Sequence, residues 1–277
     1  MGYARAGFEI TGVDVVKHAN NPHAVIETDA LALDPKWIAK NFDAVHASPP
    51  CQGYTTMRHA PGAKGAPRMI GQVRELLQAT GLPWVIENVE AAAPEMRNPL
   101  LLCGTMFGLG AQGHDLQRHR LFETSFPVLP LACQHTERPV IGVYGGHARN
   151  RSAKHGGRGT KDSWDGGHKA AASEALGIDW MNLAEMSEAI PPAYTEYLGW
   201  QLRAVLMVRT VAGMLPQLPS NEADEPPLSR DQRAECLQQI VPAVARAVRF
   251  EQIEVLKDCA MREFWPTLFT DEGDNAP

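Results

Sequence analysis

An α/β fold with a mostly parallel sheet is what this chain predicts, on two observations. Short apolar runs of strand length alternate with helical patterns through the first half of the sequence. The 277 residues, 44 % hydrophobic and 21 % charged, have the length and composition of a globular protein whose core is large enough to fold alone.

In chain order, residues 9–13, 24–27 and 42–47 read as strands, with a short helix at 35–41 before the third. Residues 70–80 read as an amphipathic helix, because Ile70, Val73, Leu76 and Leu77 fall on one stripe and Gly81 stands where a helix closes. Residues 84–87 form a further strand, and a later pair lies near 121–126 and 140–144. From 145 to 167 the periodicity stops. That stretch is glycine-rich, basic and nearly without apolar residues, so it reads as a mobile surface loop. Helical patterns resume at 169–176 and 183–189, and a long helix is expected from Pro192 to about Leu215. Four prolines among acids make 216–228 a linker, and Ser229 is placed to cap a helical acidic tail over 229–277.

No apolar run approaches the roughly 20 residues that a membrane span needs, and the first residues lack an apolar signal core. Five cysteines (Cys51, Cys103, Cys133, Cys236 and Cys259), widely spaced and with no Cys-x-x-Cys pair, argue against a disulfide framework. A reducing cytoplasm is the compartment this fits.

The net charge of −6 looks unsuited to a nucleic-acid partner, but it is unevenly distributed. Residues 219–277 hold 12 acids and 6 bases, which leaves the remainder neutral. Between Gly145 and Lys169, Arg149, Arg151, Lys154, Arg158, Lys161 and Lys169 face only Asp162 and Asp165. Whole-chain charge therefore does not exclude DNA.

The sharpest motif is Ser48-Pro49-Pro50-Cys51-Gln52-Gly53, directly after a predicted strand. Open α/β sheets carry their chemistry at the C-terminal ends of strands, and two prolines restrict the backbone before the thiol. A buried structural cysteine is the plainer alternative, but the polar, glycine-rich flank running to Arg58 and Lys64 argues against burial. Glu87-Asn88-Val89 ends the strand at 84–87, and Gln117-Arg118-His119-Arg120 precedes the next. Alone, Glu87 reads as a strand-end carboxylate in a salt bridge, and the arginines as an exposed strand. A fourth block runs Ala189-Ile190-Pro191-Pro192-Ala193-Tyr194-Thr195-Glu196-Tyr197-Leu198-Gly199.

These four motifs, in this order, resemble those of the DNA cytosine-5 methyltransferases, most closely the compact phage-encoded members. The resemblance implies a Rossmann-like methyltransferase domain over about residues 1–215, a small basic recognition region over about 127–182, and S-adenosylmethionine as methyl donor. It implies Cys51 as the nucleophile that adds to cytosine C6 and Glu87 as the proton partner at N3. Arg118 and Arg120 would position the base and its phosphate through charge-assisted bonds. Asp14 and Val15 after the first strand, Asp29 and Ala30 after the second, and Pro49 would hold the donor. Pro50, Gln52 and Asn88 would line the base, with Asn88 propping the Cys51 loop. Arg58, Lys64, Arg149 and Arg151 would meet double-stranded DNA, the base being flipped out of the duplex. The loop around 53–67 would close over it.

One departure is marked. The family's opening strand and glycine-rich donor loop have no counterpart before Gly2-Tyr3-Ala4-Arg5-Ala6-Gly7-Phe8, so an upstream-encoded segment or a partner chain is expected to supply them. A catalytically inactive DNA-binding relic or regulatory subunit is the alternative. Cys133-Gln134-His135, with Cys103 and several histidines nearby, matches no zinc spacing, so no metal is expected.

Overall fold

The computed structural model describes residues 1–54, 65–151 and 164–214. Two compact units divide the chain, Met1–Arg203 and Ala204–Pro277. Of the second, the described residues 204–214 are helical, and the expected linker and acidic tail lie outside the described residues.

Helix α1 (Gly2–Arg5) leads to strand β1 (Thr11–Asp14) and then β2 (Ala24–Glu27). Helix α2 (Pro35–Asn41) precedes β3 (Val45–Ala47), and α3 (Ile70–Thr80) precedes β4 (Trp84–Asn88). Short strands β5 (Leu100–Leu102), β6 (Gly110–Ala111) and β7 (His114–Leu116) come before β8 (Arg120–Thr124), β9 (Val140–Tyr144) and β10 (His147–Arg151). Helices α4 (Gly167–Leu176), α5 (Leu183–Glu188) and α6 (Pro192–Met214) follow.

The fold is mixed α/β, but among the described residues the strands form three sheets: β1-β2, β3-β4-β8-β5 and β10-β9-β7-β6. Pairs β1/β2, β3/β4 and β7/β9 are parallel, whereas β8 runs antiparallel to both β4 and β5. The expected mostly parallel sheet is thus corrected to a mixed one. The short connections β6–β7 and β9–β10 can join only antiparallel neighbours. The expected surface loop is corrected at its start as well. Gly145 and Gly146 take φ of 59° and 71°, the left-handed pair of a two-residue hairpin turn, and β10 folds back on β9 with His147 opposite Tyr144. Residues 152–163 lie outside the described residues.

Local chemistry places the helices. Asp34 caps α2 by accepting from Lys36 N, with Pro35 at the first helical position. Gly81, at φ 69°, closes α3. Asn182 and Glu185 form a reciprocal capping box at the start of α5.

Two cores result. Ile70, Val73 and Leu77 of α3 pack with Trp84, Ile86 and Leu121 beneath the β3-β4-β8-β5 sheet. Alanines 171, 172 and 175 bring α4 close against Leu116, Ile141 and Val143 of the other four-stranded sheet. A buried ion pair ties α3 to β8, with Arg74 Nε donating to Glu123 Oε1 at 2.5 Å and Nη2 to Oε2 at 2.6 Å. Helix α1 lies hard against α6, where a Cβ on Gly199 would stand 2.7 Å from that of Ala6.

Candidate active site

Strand register assembles the site. In the parallel pair β3/β4, Ala47 faces Ile86, so the next step along both strands sets Ser48 beside Glu87. Ser48 indeed hydrogen-bonds the Glu87 carboxylate. The Pro49-Pro50-Cys51 turn therefore leaves the sheet at the edge where Glu87 ends its strand. Because β8 is antiparallel to β4, with Asn88 opposite Leu121, the start of β8 reaches the same edge and brings Arg118 and Arg120 with it.

Asn88, 1 % exposed, locks the two strand ends together. Its Nδ2 donates to the Pro49 carbonyl at 2.9 Å, while its Oδ1 accepts from Val89 N at 3.0 Å. Pro49 is buried, whereas Pro50, Cys51 and Gln52 are exposed. Tyr54 N closes the turn by donating to Cys51 O at 3.0 Å. Gly53 is required by close approach, since a Cβ there would sit 2.7 Å from Pro67 O. Beyond it, Tyr54 donates to Glu95 Oε2 at 2.9 Å and Arg68 Nε pairs with Glu95 Oε1 at 2.7 Å. Both flanks of the 55–64 segment are thereby anchored. Arg58 and Lys64 lie outside the described residues.

Glu87 is buried, and burial raises its carboxyl above the usual carboxylate range. Arg120, the Ser48 hydrogen bond and Arg118 pull in the opposite direction. Arg120 Nε lies 3.1 Å from Glu87 Oε1, and its Nη1 donates to His119 O at 2.8 Å. A further chain supports Ser48 from behind. Tyr3 and His46 Nδ1 share a hydrogen bond at 2.8 Å, and His46 Nε2 stands 3.1 Å from Ser48 Oγ. Burial pushes His46 down to about 4, so it is neutral at pH 7.

Arg118 is placed differently from Arg120. It is 8 % exposed, and its terminal nitrogens donate to Val143 O and Ser187 O, each at 2.7 Å. Its Nε is buried without a partner. Burial, reinforced by Arg120, brings the guanidinium down to about 9, so it remains a cation at neutral pH. Tyr194, fully buried, donates to Arg118 O at 2.6 Å and so fixes the start of β8 from α6. Tyr3, His46, Ser48, Ser187 and Tyr194 are supporting residues that the motifs did not single out. Ser48 and Tyr194 lie inside them, whereas Ser187 carries no sequence signal.

Asp14 and Asp29 stand at or just beyond the C-terminal ends of the parallel strands β1 and β2, whose register pairs Asp14 with Glu27. Asp14 Oδ1 accepts from Val16 N at 2.9 Å, and Val15 and Val16 beside it are 65 % and 55 % exposed. Asp29 Oδ1 accepts from Leu31 N at 2.9 Å and caps a short turn containing Ala30. Among the described residues β1 pairs only with β2, so this corner is a separate sheet from the one carrying Cys51 and Glu87. Arg149 and Arg151 lie on β10, and the Arg149 guanidinium covers the Tyr144 ring at 5.2 Å.

No protein-family model and no curated protein matches the chain. Among solved structures, a crystal structure of a triple mutant of DNMT2 from Spodoptera frugiperda aligns at 18 % identity with a TM-score of 0.31, covering 47 % of this chain and 48 % of that one. The chain thus spans about half the length of that structure, and a likeness at this level decides neither fold nor function. Among the described residues, no helix is long and apolar enough to cross a membrane.

Proposed function

We propose that this chain is a cytosine-5 methyltransferase acting on DNA. The observation that carries the reading is the convergence of the Cys51 turn, Glu87 and Arg120 on one sheet edge, with Asn88 clamping β4 to Pro49 at 2.9 Å. An exposed thiol at the sheet edge that carries a buried carboxyl, raised by that burial, suits addition across a cytosine 5,6 double bond.

In that chemistry the Cys51 thiolate would form a bond to C6 while the C5–C6 π pair shifts onto C5 and N3. C5 would then take the donor's methyl group, whose sulfonium sulfur leaves as a neutral thioether. Glu87, whose carboxyl is raised by burial against the pull of Arg120, Ser48 and Arg118, would hydrogen-bond N3 and stabilise the charge that develops. Arg120 turns from Glu87 to the base carbonyl. Removal of the C5 proton after transfer returns an electron pair to the ring, and the Cys51–C6 bond breaks.

S-adenosylmethionine supplies an electrophilic methyl group on a sulfonium. The residues at the β1/β2 corner fit its nucleoside portion. Asp14 offers a carboxylate for a ribose diol, Asp29 stands at the next strand end, and Val15 with Val16 offers apolar surface. The basic strand β10, with Arg149 and Arg151, and the side chains of Arg58 and Lys64 would follow the phosphate backbone.

Trapping tests the reading. A duplex oligonucleotide carrying 5-fluorocytosine cannot lose its C5 substituent as a proton, so the thioether persists. Incubated with the full chain and S-adenosylmethionine, it should give a denaturation-resistant protein–DNA adduct on Cys51, absent in Cys51→Ser. DNA binding without any adduct would contradict the proposal.

A second reading, a DNA-binding relic or regulatory subunit, is favoured by the separation of the β1-β2 pair from the β3-β4-β8-β5 sheet. A thermal-shift titration discriminates, because a donor that binds the folded state must raise its stability.

A further inference from the structure

Strand pairing joins two residues far apart in sequence on the opposite side of β8 from Glu87. Strands β5 and β8 are antiparallel with Leu102 opposite Arg120, so Cys103 falls opposite His119, the residue between the two arginines. The segment between β8 and β9 then carries Cys133 and His135 to the same place. One ligand atom from each of Cys103, His119, Cys133 and His135 lies within 4.8 Å of all the others.

The spacing is that of a coordination polyhedron. A tetrahedral zinc ion with Zn–S of about 2.3 Å and Zn–N of about 2.05 Å has sulfur–nitrogen edges of about 3.5 Å and a nitrogen–nitrogen edge of about 3.3 Å. Here Cys103 Sγ lies 3.5 Å from His135 Nε2, and Cys133 Sγ lies 3.5 Å from His119 Nε2 and 3.0 Å from His135 Nε2. The two imidazole Nε2 atoms are 3.2 Å apart.

The neighbours complete the pattern. His119 Nδ1 is 3.1 Å from Glu90 Oε1, the carboxylate contact that fixes an imidazole with its Nε2 lone pair directed at a metal. Thr105 Oγ1 stands 3.2 Å from Cys103 Sγ, within reach to donate to a thiolate.

We propose that Cys103, His119, Cys133 and His135 bind one Zn²⁺ ion. Two thiolates and two imidazoles fill a tetrahedron with protein ligands, so the site is structural and leaves no position for substrate. It staples the segment between Thr124 and Val140, which has no regular secondary structure, onto the β5 end and the start of β8. It also fixes His119, and with it the backbone from which Arg118 and Arg120 project. The expectation of no metal rested on spacing along the sequence, whereas the fold assembles this set from three separate segments.

The test is metal content and cobalt spectroscopy of the purified full chain. One zinc per chain is expected. Exchange with Co²⁺ should produce intense tetrahedral d–d absorption and thiolate-to-cobalt charge transfer. The exposed pair Cys133→Ser/His135→Asn should abolish stoichiometric zinc and that charge-transfer band while far-ultraviolet circular dichroism is retained. Glu90→Ala should weaken zinc about 10–100-fold. Zinc retained at one equivalent in the double variant would overturn the site, because Cys236 and Cys259 or other residues would then hold it. A metal-free chain that gives no sulfur charge transfer with Co²⁺ would overturn it too, as would a Cys103–Cys133 disulfide found in the protein purified without oxidant.

Discussion

Arg120 Nε lies 3.1 Å from Glu87 Oε1, so the residue expected to hold the base is paired, in the free protein, with the residue expected to protonate it. The pair opposes burial, which raises the Glu87 carboxyl. Replacing Arg120 by Met removes that opposition and should push Glu87 further up. The sign follows. A buried carboxyl with a raised value binds its proton more tightly in the folded state, so its contribution to stability is present at low pH and lost as pH rises through the folded value. Arg120→Met should therefore lose stability relative to wild type as pH rises, in urea melts at several pH values. Its turnover should fall about 10²–10³-fold, as for removal of one preorganised donor.

Asn88 offers a cleaner separation of placement from folding. Asn88→Ala leaves the Pro49 carbonyl without its partner at a cost of about 1–3 kcal/mol, well within what a domain of this size withstands. The freed turn should slow formation of the covalent adduct by more than the stability change explains. Rapid-quench trapping alongside a denaturant melt measures both quantities.

The Arg74–Glu123 pair is buried and doubly hydrogen-bonded, and neither residue is among those expected to react. Arg74→Met strands a buried carboxylate and should destabilise the fold by about 3–5 kcal/mol. The double change Arg74→Met/Glu123→Leu should recover much of this, and chemical denaturation of the three proteins tests the coupling.

His46 sets an acid limit. Its folded value of about 4 lies below the ordinary imidazole value of 6.5, so the unfolded chain binds the extra proton between those values. Stability is full above about pH 6.5 and falls as pH drops toward 4, by at most about 3 kcal/mol and less where solvent screens the ring. His46→Gln should flatten that part of the stability profile.

Much of the frame was legible in the sequence because local chemistry wrote it. Helix α3 spans the stripe that Ile70, Val73 and Leu77 marked, and Gly81 stops it in the left-handed conformation. Helix α2 follows from Asp34-Pro35, and β2 from its apolar run. Strand β3 is shorter than its apolar run because Phe42 caps α2, packing edge-on against Trp37. Strands β5, β6 and β7, of two or three residues each, are too short for any periodicity to reveal. The hairpin at Gly145-Gly146 was masked by the basic, glycine-rich stretch that follows it.

The site divides the same way. Motifs named Cys51, Glu87, Asn88 and Arg120, but only the strand register shows Ser48 between His46 and Glu87, and only long-range pairing shows Arg118 drawn onto Val143 and Ser187. Cys103 and His119 are 16 residues apart and meet through the β5/β8 ladder, a contact that no spacing rule along the chain anticipates.

The central claim is tested most directly by mass spectrometry of nucleosides from the genomic DNA of a 5-methylcytosine-free host expressing the full chain, with Cys51→Ser as control. The account predicts 5-methylcytosine with the wild-type chain and none with the variant. Folded, well-expressed protein that leaves the DNA free of 5-methylcytosine, or equal methylation by Cys51→Ser, would contradict it.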